Sequence, residues 1–168
     1  MTLADAVLAV LLSLQPHVSD LDEAPGARKA RLGAIAQDIA TASKGNRDRA
    51  AALIVLGSRE SHFASWVGDG CQGDPPKGSG DCDKGRARSY WQVWARGCRK
   101  GWALPVGSRA AQAAFAGCAA RLWQAARRRC QSANEDPLVG AYSGYRSVCR
   151  WEPAKARARR HRVMLARL

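Results

Sequence analysis

Apolar positions recur at helical spacing through most of the chain. Between Ala27 and Ala42, the residues Leu32, Ile35, Ile39 and Ala42 fall three or four apart, with Arg28, Lys29, Arg31, Gln37 and Asp38 mostly elsewhere. That spacing predicts an amphipathic helix with one buried stripe. Ser43 to Asn46 reads as its C-terminal turn, with Gly45 or Asn46 able to take a positive φ. The next stretch, about Arg47 to Phe63, is different because Ala50 to Gly57 is apolar on every side of a helix. A helix of that kind runs through the core. Further on, Ser108 caps a helix to about Arg129, with Phe115, Cys118, Leu122 and Ala126 as its buried stripe. Asp136-Pro137 marks another helix start with proline at the first helical position, and a last basic helix follows Pro153.

Two segments break this pattern. Residues 3–14 form an apolar run interrupted by Asp5, with no Lys or Arg before it and no clean small-x-small cleavage site after it. As an export signal the run is unclear, and it fits an amphipathic or buried helix better. It is too short to span a bilayer. From Gly68 to Gly85 the chain carries six glycines and the Pro75-Pro76 pair, which reads as an irregular loop. Hardly any run alternates with period two, so the expected class is mainly α, with at most a small hairpin in the loop. The division expected is an N-terminal helix and linker over 1–26 and a main domain over 27–168. A length of 168 residues makes this a single domain overall.

Charge narrows the partners. Against 14 Asp+Glu stand 27 Lys+Arg, a formal net charge of +13, densest at Arg127 to Arg129 and from Lys155 to Arg162. Such a field gathers polyanions, whether nucleic acid, anionic lipid headgroups or acidic cell-wall polymers. A solvated basic surface that keeps the protein soluble accounts for most of these residues equally well. No helix-turn-helix, zinc-finger or RNP signature is present, so no specific nucleic-acid partner is expected.

The six cysteines, Cys71, Cys82, Cys98, Cys118, Cys130 and Cys149, include no C-x-x-C pair. Three disulfides fit better than a zinc site, and disulfides place the protein outside the cytosol, secreted or periplasmic. Reduced, buried thiols in a cytosolic protein are the alternative. Connectivity stays open, with Cys71–Cys82 favoured because both lie in one loop.

Glu60 stands four residues after Leu56 and seven after Leu53, so it emerges on an apolar face near the end of the core helix. Those surroundings disfavour its ionised form, and a carboxyl that keeps its proton can act as a general acid. The alternative is a helix-end Glu paired with a basic side chain from the following loop, such as Arg86. Ser61 has no triad partners and reads as a hydrogen-bond donor orienting Glu60. His62 is a lone imidazole, and neither a metal nor a cofactor is expected. Tyr90, Trp91, Trp94 and Trp102 suit either stacking on sugar faces or core packing.

Glu60-Ser61-His62-Phe63 at the end of an apolar helix resembles the catalytic segment of the lysozyme-like superfamily, especially the soluble lytic transglycosylases and their goose-type lysozyme relatives. Ser89-Tyr90-Trp91-Gln92-Val93 is similar to the family's Gly-Leu-Met-Gln-like cleft segment, which makes Gln92 the matching residue. Ala141-Tyr142-Ser143-Gly144 is similar to its Ala-Tyr-Asn-x-Gly segment, which makes Tyr142 the residue facing the centre. Ser89 stands where the family has glycine, Ser143 where it has asparagine, and Gly144 comes one place early.

The resemblance implies a lysozyme-like α+β fold and cleavage of the β-1,4 bond between N-acetylmuramic acid and N-acetylglucosamine. It implies Glu60 as acid and base, Ser61, Tyr90, Trp91, Gln92 and Tyr142 around the substrate, and peptidoglycan strands as partner. A lytic transglycosylase of the family needs one Glu and forms a 1,6-anhydro ring. If Asp69, Asp74, Asp81 or Asp83 on the following loop positions a water, the product is that of a hydrolytic goose-type-like muramidase or endolysin. A non-catalytic basic module binding wall polyanion or nucleic acid is the reading from another class. A monomer is expected.

Overall fold

The computed structural model describes residues 1–68, 86–131 and 152–168, and these are mainly helical. At the centre runs α3 (Arg47–Glu60), in which every residue from Ala50 to Gly57 is buried. Around it pack α1 (Leu3–Leu12), α2 (Pro25–Ser43), α6 (Arg109–Gln131) and α7 (Glu152–Arg167), with short α4 (Ser65–Gly68) and α5 (Arg99–Trp102) between them. The apolar stripe of α2 is the expected one, with Leu32, Ile35, Ala36 and Ile39 buried. Its exit turn puts Lys44 (φ 51°) and Gly45 (φ 76°) in the left-handed region. Asn46 does not share that geometry. It sits at φ −82° and caps α3, its side chain accepting from the Arg49 amide at 2.8 Å.

Asp5, an interruption to the sequence pattern, has a structural purpose. Its carboxylate accepts from the Thr2 amide at 2.8 Å while the Thr2 hydroxyl accepts from the Asp5 amide at 3.1 Å, a closed capping box that starts α1. Beyond it Val7, Val10 and Leu11 enter the same core as α3.

Ser108 caps α6 as expected, its hydroxyl accepting from the Ala111 amide at 3.2 Å. Phe115, Cys118, Trp123 and Ala126 are buried and Leu122 partly so. A disulfide joins Cys98, just before α5, to Cys118 within α6. Cys130 is disulfide-bonded as well. Cys71, Cys82 and Cys149 lie outside the described residues, as do the Cys71–Cys82 pairing and the helix start at Asp136-Pro137. The last helix begins at Glu152, so Pro153 lies inside its first turn.

Strands β1 (Ala87–Arg88) and β2 (Val93–Trp94) form an antiparallel hairpin with Ala87 opposite Trp94 and Arg88 opposite Val93. The hairpin therefore follows the glycine-rich stretch, and Ser89 to Gln92 make its loop. No described helix is long and apolar enough to cross a membrane.

Candidate active site

Helix α3 ends at Glu60, three residues before the end that its apolar pattern predicts. Ser61 leaves the helix at φ −144°, and His62 and Phe63 follow at φ 52° and 54°. Consecutive left-handed residues with side chains are strained by roughly 1–2 kcal/mol each, so neighbouring contacts must over-determine them. They do. The Ser61 amide and hydroxyl both donate to the Gly57 carbonyl, at 3.0 and 3.1 Å, and the same hydroxyl accepts from the Phe63 amide at 3.0 Å. Arg31 donates to the Phe63 carbonyl.

The ring of Phe63 is buried over Gly57, where an added Cβ would lie 2.3 Å from its Cε1 and Cζ. It also meets the rings of Tyr90 and Trp91, at centroid distances of 5.9 and 6.4 Å. Glycine at 57 is what lets the chain fold back under Glu60.

Ser61 does not take the role expected of it. Its hydroxyl is committed to the turn, so it positions the backbone that carries Glu60 rather than the carboxyl group. The carboxyl is paired with a basic side chain, as the alternative reading had it, though not with Arg86 of the following loop. Arg157 of α7 places Nη2 3.1 Å from Glu60 Oε1, with the two side chains 14% and 23% exposed. Arg86 lies with its guanidinium 5.5 Å from the centre of the Trp94 ring. Burial holds the Glu60 carboxyl above the usual carboxylate range, outweighing the opposing charge and hydrogen bond of Arg157 and the field of Arg59. Glu60 thus keeps its proton to higher pH than an exposed glutamate, although a cation touches it.

His62 is exposed on the turn and, contrary to its isolation in the sequence, faces His17 at a ring-centroid distance of 5.9 Å. Partial burial, then the charges of His17, Arg160 and Arg59, push its pKa down. No three His, Cys, Asp or Glu side chains gather into a metal site among the described residues.

The hairpin loop braces this turn from the far side. Trp91 is fully buried and donates its indole N–H to the Leu53 carbonyl at 3.0 Å, and Tyr90 is 5% exposed. Both are core residues, which removes them from the set available for stacking on a sugar. Tyr90 presses so closely on Gly68 that a Cβ there would meet its hydroxyl at 2.1 Å. Trp94, at 40%, is the exposed large aromatic ring among the described residues, flanked by Arg86 and Arg96. Trp102 donates to the Val93 carbonyl at 3.0 Å beneath the Arg88 guanidinium.

Gln92 takes φ 47° and donates its side-chain amide to the Ser89 carbonyl at 3.0 Å, so it too holds the loop. Ser89 itself sits at φ 71°. Tyr142, Asp69, Asp74, Asp81 and Asp83 lie outside the described residues.

Sequence reasoning missed Arg157 and Asp20. Arg157, His161 and Met164 of α7, with Leu168 just after it, repeat at helical spacing, so an arginine within an apolar stripe was the available signal. Asp20 gives no such sign. Its buried carboxylate accepts from Arg31 at 3.1 Å, from the Ser65 hydroxyl at 2.7 Å and from the Ser65 amide at 3.0 Å, pinning the start of α4.

No protein-family model matches this chain, and no curated protein or solved structure is significantly similar to it.

Proposed function

We propose that this protein is a peptidoglycan-cleaving glycosidase of lysozyme-like type that acts on the bond between N-acetylmuramic acid and N-acetylglucosamine. The observation that carries the reading is Glu60, a carboxyl at the end of a buried helix whose burial keeps it protonated beyond the ordinary range. A carboxylic acid in that state can protonate a glycosidic oxygen, and its conjugate base can then take a proton from the attacking hydroxyl. The turn that presents it is braced by Phe63, Tyr90 and Trp91, which suits a group that must be held in place. Ser89 supports the resemblance, because the position where the family has glycine has a glycine-like backbone.

Within this reading a lytic transglycosylase is the first assignment, as the resemblance of the Glu60 segment to that family implies, and a hydrolase is the second. A single acid and base suffices when the muramic 6-hydroxyl closes a 1,6-anhydro ring, whereas hydrolysis needs a second group to activate water. The loop residues Asp69, Asp74 and Asp83 are the candidates for that second group. The Cys98–Cys118 disulfide fits a working site outside the reducing cytosol.

The ion pair of Glu60 with Arg157 favours one other reading, in which Glu60 is a fastener between α3 and α7 on a non-catalytic basic module. Mass spectrometry of fragments released from purified peptidoglycan separates the two. The expected result is 1,6-anhydromuramic ends from the wild type and none from Glu60→Gln. Reducing ends would move the assignment to a hydrolase, and release by Glu60→Gln equal to wild type would refute the role of Glu60.

A further inference from the structure

Helix α7 has two faces of different character. Arg157, His161, Met164 and Leu168 point inward. Arg157 meets Glu60, His161 Nε2 lies 3.0 Å from the Asp48 carbonyl oxygen, and Met164 and Leu168 are buried. Arg159 and Arg162 are exposed on the opposite face, and Arg160 and Arg167 are exposed on its flank. No Asp or Glu occurs between Pro153 and Leu168 to neutralise them. From Arg159 to Arg167 the helix extends by about 12 Å.

This cationic face does not end at the helix. Arg160 is one turn beyond Arg157, whose contact with Glu60 fixes where α7 crosses the end of α3. There Arg59 and His62 are also exposed, and the charges of Arg160 and Arg59 both reach the His62 ring. A cationic ledge thus runs from the carboxyl of Glu60 outward along α7.

We infer that this ledge is a docking surface for carboxylate groups carried at intervals on the polymer that enters the Glu60 site, namely the free carboxylates of peptides attached to a glycan strand. The inference rests on the glycosidase reading for what lies at Glu60. Three features select this occupant. Arginine presents a planar fork that pairs bidentately with carboxylates. The described outer face carries no aromatic ring, which a single-stranded nucleic acid needs for stacking. Its one exposed large apolar side chain is Val163, too little for insertion into a lipid surface. Arg157 and Glu60 lie at one end of the ledge, so carboxylates held along α7 would align the strand across the site.

The test uses full-length Glu60→Gln protein, with and without the triple change Arg159→Gln, Arg160→Gln and Arg162→Gln, all at exposed positions. Cosedimentation is measured with purified wall sacculi, with sacculi whose peptide carboxylates have been converted to amides by carbodiimide and ammonia, and with anionic phospholipid vesicles. Wild-type cleavage of the same sacculi is recorded in parallel, and circular dichroism checks that each variant is folded. The expected result is roughly tenfold weaker binding of the triple variant to intact sacculi. That difference should vanish on amidated sacculi, and also at about 1 M salt, where the screening length is roughly 3 Å. Equal binding by both variants, undiminished binding to amidated sacculi, or a stronger arginine-dependent preference for vesicles would overturn the inference. If cleavage proceeds while the triple variant binds normally, the docking surface fails and the enzymatic reading stands. If binding behaves as expected but the wild type cuts nothing, the docking surface stands and the enzymatic reading fails.

Discussion

Arg157 reaches Glu60 across 97 positions of the chain and holds Nη2 at 3.1 Å from Oε1, yet the carboxyl still titrates above its ordinary range. Burial, which disfavours the charged form, outweighs the cation, which favours it. Arg157 therefore sets how far Glu60 is raised, and this determines the pH at which a general acid stops working.

Arg157→Gln removes the opposing charge, so the Glu60 pKa should climb further. The alkaline limb of the pH–rate profile for strand cleavage should move to higher pH, measured by fragment release from sacculi. Stability follows the same sign. The folded state holds the Glu60 proton more firmly than the unfolded chain, so this contribution is present below the unfolded pKa and lost as pH rises through the folded one. The melting temperature of Arg157→Gln should thus fall more steeply with rising pH than that of the wild type. A uniform drop with an unmoved limb would reduce Arg157 to a structural tie.

Gly57 is the second control point. In a helix interior alanine is normally better than glycine by about 1 kcal/mol. Here a Cβ would lie 2.3 Å from two atoms of a buried Phe63 ring that has Tyr90 and Trp91 against it. Overpacking of that kind typically destabilises by roughly 1–3 kcal/mol, which exceeds the propensity gain. Gly57→Ala should lower the melting temperature by several degrees, since about 1 kcal/mol corresponds to roughly 2–4 °C at this size. Strand cleavage should fall with it, because the displaced ring lies under the Glu60 turn. An unchanged or raised melting temperature would show that Phe63 yields freely.

A third prediction concerns Asp38 and Arg109, which tie α2 to α6 with side chains 5% and 58% exposed. Burial pushes Asp38 above its ordinary range, and the Arg109 hydrogen bonds and charge pull it back. Arg109→Met leaves a buried carboxylate unpaired. The expected loss is about 1–3 kcal/mol at neutral pH, the lower part of the range for broken buried pairs because Arg109 is half in solvent. A raised folded pKa means that stability is retained below the unfolded pKa and lost as pH rises through the folded one. The gap in melting temperature between Arg109→Met and wild type should therefore close at acid pH, where Asp38 takes up a proton. Adding Asp38→Asn should restore much of the loss at neutral pH, and a double-mutant cycle without coupling would contradict the argument.

What the sequence makes legible follows from the range of each signal. The core helix, the α6 stripe and the emergence of Glu60 from an apolar face are set by residues three to seven apart, and all three are found in the fold. The end of α3 is not legible in the same way. A run that favours helix through Phe63 is overruled by the Ser61 hydroxyl and by a ring that fits only over Gly57. Tyr90 and Trp91 send one signal, a large amphipathic ring, that serves sugar stacking and core packing equally, and only burial decides between them. Arg157 and Asp20 act through contacts 97 and 45 positions away, beyond any local pattern.

Ser89 provides a test that joins backbone physics to the proposed kinship. It occupies φ 71° in the hairpin loop, a conformation that glycine adopts without steric penalty and serine does not. Its side chain offers little in return, since the hydroxyl accepts only a long bond of 3.3 Å from the Trp91 amide. Glycine would remove the left-handed strain but would also lose more conformational entropy on folding, so the net gain is bounded. Ser89→Gly should leave the protein as stable as wild type or up to about 1 kcal/mol more stable, read from the midpoint of denaturant unfolding. Strand cleavage should be retained, because Gln92 keeps the carbonyl at position 89 as its partner whichever residue stands there. A loss of more than about 1 kcal/mol would mean that the hydroxyl, rather than the backbone geometry, holds the loop, and would remove the support that this position lends to the lysozyme-like resemblance.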